Sequence, residues 1–191
     1  MAKKTKLEIK DNYDDCWIYI LLLTALTILL NSIKNYSFNL VGEEVSYSTL
    51  GLPFTYLIAN YITKKYNNKN TLLAITISSI ISVCFMETMA FALGKKLNLI
   101  DNLGDFCGYI ISQLINLAIY LFILNNTRGK YLLLLVNYIF SVIVFYMVYT
   151  ILNLNVISFD NYWIKYFLTI GINILLCIFI AFIDLRIKNN K

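Results

Sequence analysis

The chain has 191 residues, of which 59% are hydrophobic and 14% are charged. A soluble domain usually carries about a quarter charged residues, so this composition favours a protein embedded in lipid. The net charge of +5 comes mainly from basic residues between the apolar runs, where membrane topology explains them, and does not indicate nucleic-acid binding. The chain has no histidine, the usual general base and commonest metal ligand, so we expect no enzyme, metal site or cofactor.

The four cysteines are scattered along the chain, in or beside apolar runs: Cys16, Cys84, Cys107 and Cys177. They form no CxxC pair and no metal-ligand spacing, which predicts that they are small packing residues. Residues 1–15 form a mixed-charge segment ahead of the first apolar run. No small-residue cleavage site follows that run, so we expect no cleavable signal peptide.

Six apolar runs each have about the ~20 residues that an α-helix needs to cross the hydrocarbon core. They are Cys16–Ile33, Val45–Ile62, Thr71–Leu93, Phe106–Leu124, Tyr131–Leu154 and Tyr162–Ile183. The runs do not alternate between apolar and polar residues, as the strands of a membrane β-barrel would. The sequence therefore predicts an all-α integral membrane protein with about six transmembrane helices in one compact bundle, over residues 16–187, followed by a tail at 188–191.

Lysine and arginine positions give the expected orientation, because cytoplasmic loops carry an excess of both. With the N-terminus inside the cell, twelve of the sixteen basic residues fall on the cytoplasmic side: Lys3, Lys4, Lys6, Lys10, Lys64, Lys65, Lys69, Arg128, Lys130, Arg186, Lys188 and Lys191. We expect a multi-pass protein of the cell membrane, surrounded by the lipid bilayer, with residues 1–15 and the C-terminal tail in the cytoplasm.

Glu87 is the only charged residue in the third apolar run, Thr71–Leu93. An ionisable group at such depth costs about 2.5–3.5 kcal/mol on insertion scales, so it usually has a partner, a wet cavity or a ligand. Six residues separate it from Leu93, which places it about 9 Å below the outer end. Phe91 shares its side of the helix. Two interpretations stay open: a structural pair with another helix, or a carboxylate that binds a polar solute or carries a proton.

The fourth run carries a stripe of small and polar residues. Five of them recur every four positions and share one helix face: Gly104, Gly108, Ser112, Asn116 and Tyr120. Gln113 lies on the flank of that face, three residues before Asn116. Small residues let a neighbouring helix approach closely, and amides can hydrogen-bond across the bundle or to a ligand. A packing seam explains the stripe about as well as a binding site does, although two adjacent amides exceed what packing needs.

The second run contains the single proline of the chain, Pro53. Proline frees a backbone carbonyl one turn earlier and can kink a helix beside a cavity, although a purely structural kink is the simpler interpretation. Tyr56 and Asn60 follow on a common face. At the end of the sixth run, Asp184 and Arg186 are interpreted as interfacial charges, with Asp184 able to form a pair.

These segments resemble the YhhQ-type queuosine precursor transporters, also called the vitamin uptake transporter (VUT) family. LPFTYLIANYITKKYNNK, residues 52–69, is similar to the family's second span, with its proline, aromatic residue, polar pair and lysine- or glycine-ended turn. GDFCGYIISQLINLAIY, residues 104–120, resembles the family's second hallmark, a Ser-Gln pair before a polar residue. Asn31 and Lys34 fit an early Asn and Lys region. The likeness covers most of the chain from Asn31 to about Thr127.

The chain departs from the family pattern at several positions. Acidic residues are usual where Asn60 and Asn116 stand, and the fifth span usually holds an Arg and an Asp, where this chain offers Asn137 and Ser141. These departures put the family's usual substrate in question for this chain.

The resemblance implies a six-helix importer of queuosine precursors, which are deazaguanine bases. Glu87 would then accept from the ring N–H and the exocyclic amine, while Gln113 or Asn116 would donate to the carbonyl. Tyr56 or Phe91 would stack on the flat ring. The predicted substrate site is Glu87, Gln113, Asn116, Asn60, Tyr56, Phe91 and Ser112.

Facilitated diffusion and proton coupling through Glu87 both fit this interpretation, and other functions fit the sequence as well. The substrate-binding subunit of an energy-coupling-factor vitamin transporter has a similar length, and its ATPase module could dock at Gly104 and Gly108. A homo-oligomer is a further option. A non-transporting membrane interaction protein would need Glu87 and the Asn116 stripe for packing alone.

Overall fold

The computed structural model describes residues 13–34, 36–94, 99–125, 129–153 and 162–189. They form six helices and one hairpin: α1 Tyr13–Ser32, β1 Ser37–Leu40, β2 Glu43–Ser46, α2 Ser48–Lys65, α3 Asn68–Ala92, α4 Leu99–Asn125, α5 Lys130–Leu152 and α6 Tyr162–Asn189. Successive side-chain contacts between pairs of helices show that the helices run alternately up and down. We name the two ends of the bundle the Lys65 end, where α1, α3 and α5 begin, and the Lys34 end, where the other three begin.

The prediction of a six-helix bundle is confirmed in its number of helices, although not all six are equally apolar. Within the described residues, five helices are long and apolar enough to cross a membrane: α1, α3, α4, α5 and α6. The second predicted run is corrected, because Val45 lies in β2 and α2 covers Ser48–Lys65. This helix contacts each of the other five. Since α2 is enclosed by helices, it needs less apolar surface than its neighbours.

The segment between α1 and α2 folds into an antiparallel hairpin that the sequence analysis did not predict. Val41 and Gly42 connect its strands with positive φ angles of 54° and 86°. Two such residues match the tight turn that suits the twist of a two-stranded ribbon. The hairpin packs against α6 and α2, and the Val45 side chain is fully buried. It therefore covers part of the Lys34 end.

Glycines bring α4 and α5 together over the largest helix–helix contact of the bundle. A Cβ added at Gly108 would lie 3.1 Å from the carbonyl oxygen of Phe145, and one added at Gly104 would overlap the Asn153 side chain. The close approach predicted from the small residues of α4 is thus confirmed, with α5 as the neighbour.

The apolar core divides into two clusters that share α2. The larger lies between α2, α4, α5 and α6, and the smaller between α1, α2 and α3. Cys177 packs in the larger cluster and Cys16 in the smaller one, as predicted, whereas Cys84 is exposed. The larger cluster surrounds most of the buried polar groups described next.

Candidate functional site

Buried polar side chains lie in the space between the four helices α2, α4, α5 and α6. We call this set the polar file, and from the Lys34 end to the Lys65 end its members follow roughly in this order: Tyr146, Asn173, Thr55, Ser112, Ser141, Tyr56, Gln113, Asn137, Asn116, Asn60, Tyr138 and Asp184. Burial of polar groups is costly unless they are hydrogen-bonded. The arrangement of those bonds therefore decides what the polar file can do.

Three asparagines form the centre of the polar file. Asn116 Nδ2 donates to Asn60 Oδ1 at 2.8 Å, and Asn137 Nδ2 donates to Asn116 Oδ1 at 2.8 Å. Asn60 Nδ2 donates to the Tyr138 hydroxyl at 3.0 Å, and that hydroxyl donates to Asp184 Oδ2 at 2.7 Å. A continuous chain of hydrogen bonds thus connects α5, α4 and α2 to the carboxylate of α6.

A second set of bonds lies next to this chain, on the side of the Lys34 end. Gln113 Nε2 donates to Thr55 Oγ1 at 2.8 Å, and Thr55 Oγ1 donates to the Leu52 carbonyl at 2.7 Å. The Tyr56 hydroxyl donates to the Ser141 carbonyl at 3.2 Å. These bonds join α2 to α4 and α5 at nearly the same level.

Three amide oxygens of the polar file lack a hydrogen-bond partner among the described residues. They belong to Gln113, Asn137 and Asn173, and all three side chains are 0% exposed. Their amide nitrogens are used: Asn173 Nδ2, for example, donates to the Thr169 carbonyl at 2.9 Å. A buried acceptor without a donor costs about 1–3 kcal/mol. A bound molecule that supplies N–H or O–H groups would recover that free energy.

The structure brings five of the seven predicted site residues together. Tyr56, Asn60, Ser112, Gln113 and Asn116 are all 0% exposed and lie within the polar file. Their spacing explains this, because each falls on the face that its helix turns toward the centre of the bundle. The Tyr56 ring packs in the larger apolar cluster.

Glu87 and Phe91 lie elsewhere. Phe91 is 76% exposed on the outer surface, and the buried face of α3 ends at Ser82. The Ser78 and Tyr109 hydroxyls lie 3.5 Å apart and fix the level of α3 against α4. From there Glu87 is nine residues toward the Lys34 end and Gln113 four residues toward the Lys65 end, a separation of about 20 Å along the axis. The structure therefore does not place Glu87 or Phe91 at the polar file.

Asp184, expected to be an interfacial charge able to form a pair, has a partner inside the bundle. Asp184 is 4% exposed and accepts the hydrogen bond from Tyr138. The signal was available, because Asn173, Cys177 and Asp184 recur at intervals of four and seven residues and so share one helix face. Asn137 was noted as a departure from the family pattern and not as a site residue, although its amide lies at the centre of the polar file.

Comparison of the chain with protein-family models, with curated proteins and with solved structures returns no match.

Proposed function

We propose that this chain is an integral membrane protein that imports a small polar solute, and that the polar file is its binding site. One observation carries the proposal: buried amides connect four helices of a bundle whose outer surface is apolar, and three of their oxygens lack a donor among the described residues. The proposed solute is a deazaguanine base of the queuosine-precursor type.

Membrane insertion is supported by the outer surface of the bundle. Large apolar side chains are exposed on all five of the long apolar helices, including Leu21 on α1, Ile80 on α3, Phe122 on α4, Leu132 on α5 and Leu175 on α6. Exposed apolar surface of this extent is unusual on a soluble monomer and is covered by lipid in a membrane protein.

An aromatic group at the Lys34 end of α6 also fits a bilayer. Tyr162, Trp163 and Tyr166 pack with their ring centroids 5.9–6.0 Å apart. Tyr and Trp are enriched where the hydrocarbon core meets the headgroups. The proposed boundary of the membrane at this end is therefore near the first turn of α6.

The amide oxygens that lack a donor favour a solute-binding role for the polar file over a purely packing role. A pure packing seam gains most when every polar group finds a partner, because a partly satisfied network is less stable than an apolar one. Gln113 and Asn137 instead each hold one amide oxygen without a donor among the described residues. Polar groups inside membrane bundles commonly mark solute pathways.

The family resemblance supplies the proposed substrate class, and the polar file offers groups of suitable chemistry. A deazaguanine has ring N–H and amine donors on one edge, which amide oxygens can accept. Glu87, at the Lys34 end, is proposed as an acceptor that the base meets near the entrance and not in the polar file. Since Gln113, Asn116 and Asn60 are fully buried, the solute reaches them only when helices move apart, as in alternating access.

The test is the queuosine content of tRNA in a bacterial strain that lacks both precursor synthesis and its own importer. The strain would express this chain and receive low concentrations of each deazaguanine precursor. We expect restored queuosine with the wild type, restoration reduced about tenfold or more with Gln113→Leu, and unchanged restoration with Ser79→Ala, which lies outside the polar file.

Glu87→Gln should lower uptake by less than about fivefold, because it replaces one charged acceptor with a neutral one. Lack of any restoration, with the protein shown to be in the membrane, would contradict the proposed solute. Restoration that requires an added ATPase module would favour the energy-coupling-factor alternative. Transport activity with an unaffected Gln113→Leu variant would show that the polar file is not the binding site.

A further inference from the structure

Two of the unpartnered oxygens lie at a similar depth in the middle of the polar file. They are Gln113 Oε1 and Asn137 Oδ1. Gln113 precedes Asn116 by one turn of α4, and Asn137 Nδ2 bonds both the side-chain and the backbone oxygen of Asn116, at 2.8 and 3.3 Å. The two oxygens are therefore at nearly the same level, within about 5 Å along the axis of α4.

The direction of the hydrogen bonds that end at Asn137 is set by Asp184. The Tyr138 hydroxyl donates its single proton to Asp184 Oδ2, at 2.7 Å. The Tyr138 oxygen is then the acceptor for Asn60 Nδ2, which leaves Asn60 Oδ1 to accept from Asn116 Nδ2. Asn116 Oδ1 in turn accepts from Asn137 Nδ2. Each step follows from the previous one, and the group that remains is the oxygen of Asn137.

The direction of the bonds that end at Gln113 is set independently by a backbone carbonyl. The Leu52 carbonyl can only accept, so Thr55 donates its hydroxyl proton there. Thr55 Oγ1 is then the acceptor for Gln113 Nε2. The group that remains is again an oxygen. Two chains that start at an acceptor therefore end in two acceptors, which fixes the orientation of both terminal amides without reference to a ligand.

We propose that Gln113 Oε1 and Asn137 Oδ1 form an acceptor pair that selects solutes carrying two neighbouring N–H donors. This inference rests on the proposed function and specifies how its binding site discriminates. It assigns to two neutral amides the acceptor role that sequence reasoning gave to Glu87, and it reverses the donor role first expected for Gln113. Asp184 is a positioning residue in this scheme, since it acts on the solute only through the chain that orients Asn137.

The chemical class of ligand follows from the pair. A 2-aminopyrimidin-4-one ring, the edge of guanine and deazaguanine, carries a ring N–H next to an exocyclic amine. Loss of either donor leaves one buried oxygen unpaired, and a site built to hydrogen-bond a donor rejects an analogue that lacks it. Adenine-type edges present a single amine beside a ring acceptor and would set that acceptor against an amide oxygen.

The experiment measures binding of three bases to the purified protein in lipid nanodiscs. The bases are 7-deazaguanine, 7-deazahypoxanthine, which lacks the exocyclic amine, and N1-methyl-7-deazaguanine, which lacks the ring N–H. We expect each analogue to bind the wild type about tenfold or more weakly than 7-deazaguanine, since each loses one hydrogen bond to a buried acceptor.

Two variants assign the donors to their acceptors. Gln113→Met removes one acceptor, so discrimination against one analogue should vanish while that against the other persists. Asp184→Asn keeps the shape of the side chain but allows it to donate to Tyr138, so the direction of the chain is no longer fixed. We therefore expect Asp184→Asn to lose discrimination against the other analogue, the one that Gln113→Met still rejects. A merely structural role of Asp184 would weaken all three bases equally and would overturn its positioning role.

A control addresses the nearest alternative donor. The Tyr109 hydroxyl lies close to Gln113 and Thr55 and contacts Ser78 Oγ at 3.5 Å. We expect Tyr109→Phe to leave the ratio of affinities unchanged. A gain of discrimination in Tyr109→Phe would show that the Tyr109 hydroxyl occupies the Gln113 oxygen in the wild type, and the acceptor pair would be wrong.

The two proposals fail in different ways. If the wild type binds 7-deazaguanine and both analogues equally, the acceptor pair is overturned while import of the base stands. If no base binds and the strain shows no restored queuosine, the proposed function fails and the acceptor pair fails with it. The analogue series on the wild type gives this answer even where a variant does not fold.

Discussion

Two polar regions lie between helices of this bundle, and they use their hydrogen bonds differently. Between α1 and α3, Thr24, Ser78 and Ser79 each donate to a carbonyl of their own helix, at 2.8, 3.0 and 2.6 Å. In the polar file, by contrast, Asn60 and Asn116 bond to side chains of other helices. The hydroxyls of Thr24, Ser78 and Ser79 are therefore satisfied before the helices meet, whereas the amides of Asn60 and Asn116 are satisfied only in the assembled bundle.

This difference separates packing from candidate function. A hydroxyl bonded to its own helix offers a small surface that lets a neighbouring helix approach, and it needs no particular partner. An amide that bonds across helices specifies the position and the direction of its partner. The α1–α3 contact therefore packs two helices together, and the polar file holds the groups that a solute could hydrogen-bond.

The largest effect is expected for Asn116→Leu, which removes the residue that joins α4 to both α2 and α5. Asn60 Oδ1 then loses its donor and Asn137 Nδ2 loses its closest acceptor. We expect the free energy of unfolding to fall by about 2–4 kcal/mol, since each buried group left unpaired costs about 1–3 kcal/mol. Reversible unfolding in detergent micelles or bicelles, with the wild type alongside, measures the change.

The matched control is Asn116→Asp, which in its neutral, buried form keeps the shape, an acceptor for Asn137 and one O–H donor for Asn60. It should recover part of the stability that Asn116→Leu loses. A destabilisation by Asn116→Leu below about 0.5 kcal/mol would mean that the amides are no more dependent on the assembled bundle than the hydroxyls of the α1–α3 contact.

The helix content and the polar face of α4 were predictable from sequence, whereas the hydrogen bonds between the helices were not. Length and hydropathy define helices locally, so five of the predicted runs correspond to long apolar helices. The periodicity of α4 also placed Asn116 correctly on an inward face. The distance of Glu87 from the polar file was not predictable, because a lone charge in an apolar run does not show which end of a neighbouring helix lies beside it. Asp184 lies near the end of a run, where its spacing from Asn173 and Cys177 indicates a shared face, and its contact with Tyr138 shows that this face is the interior one.

The close contact between α4 and α5 gives the next prediction. Gly108→Ala places a methyl group 3.1 Å from the Phe145 carbonyl oxygen, and a backbone oxygen cannot move aside without shifting α5. We expect a loss of about 1–3 kcal/mol in the free energy of unfolding, as for other overpacked sites.

Gly171→Ala is the control for this substitution, since nothing lies within 4 Å of the added Cβ on α6. It should be neutral, or stabilising by up to about 1 kcal/mol, because alanine is the better helix former. Equal stability of the two variants would contradict the close α4–α5 contact, and both are measured in the same unfolding assay.

The smallest effects are expected in the α1–α3 region, where two serines of α3 provide a matched pair. Ser79 donates only to the Ile75 carbonyl at 2.6 Å, and that carbonyl keeps its backbone partner within the helix, so Ser79→Ala should change stability by less than about 0.5 kcal/mol. Ser82 accepts from Asn31 Nδ2 at 2.6 Å across the helices, so Ser82→Ala should cost about 0.6 kcal/mol, a typical value for an interhelical bond in a membrane bundle. The unfolding assay in bicelles resolves this ranking when both variants are compared with Asn116→Leu.

The contradicting outcome is a loss in the free energy of unfolding for Ser79→Ala as large as that for Asn116→Leu. Hydroxyls bonded within one helix and amides bonded between helices would then contribute equally to stability, and the functional assignment of the polar file would lose its physical basis.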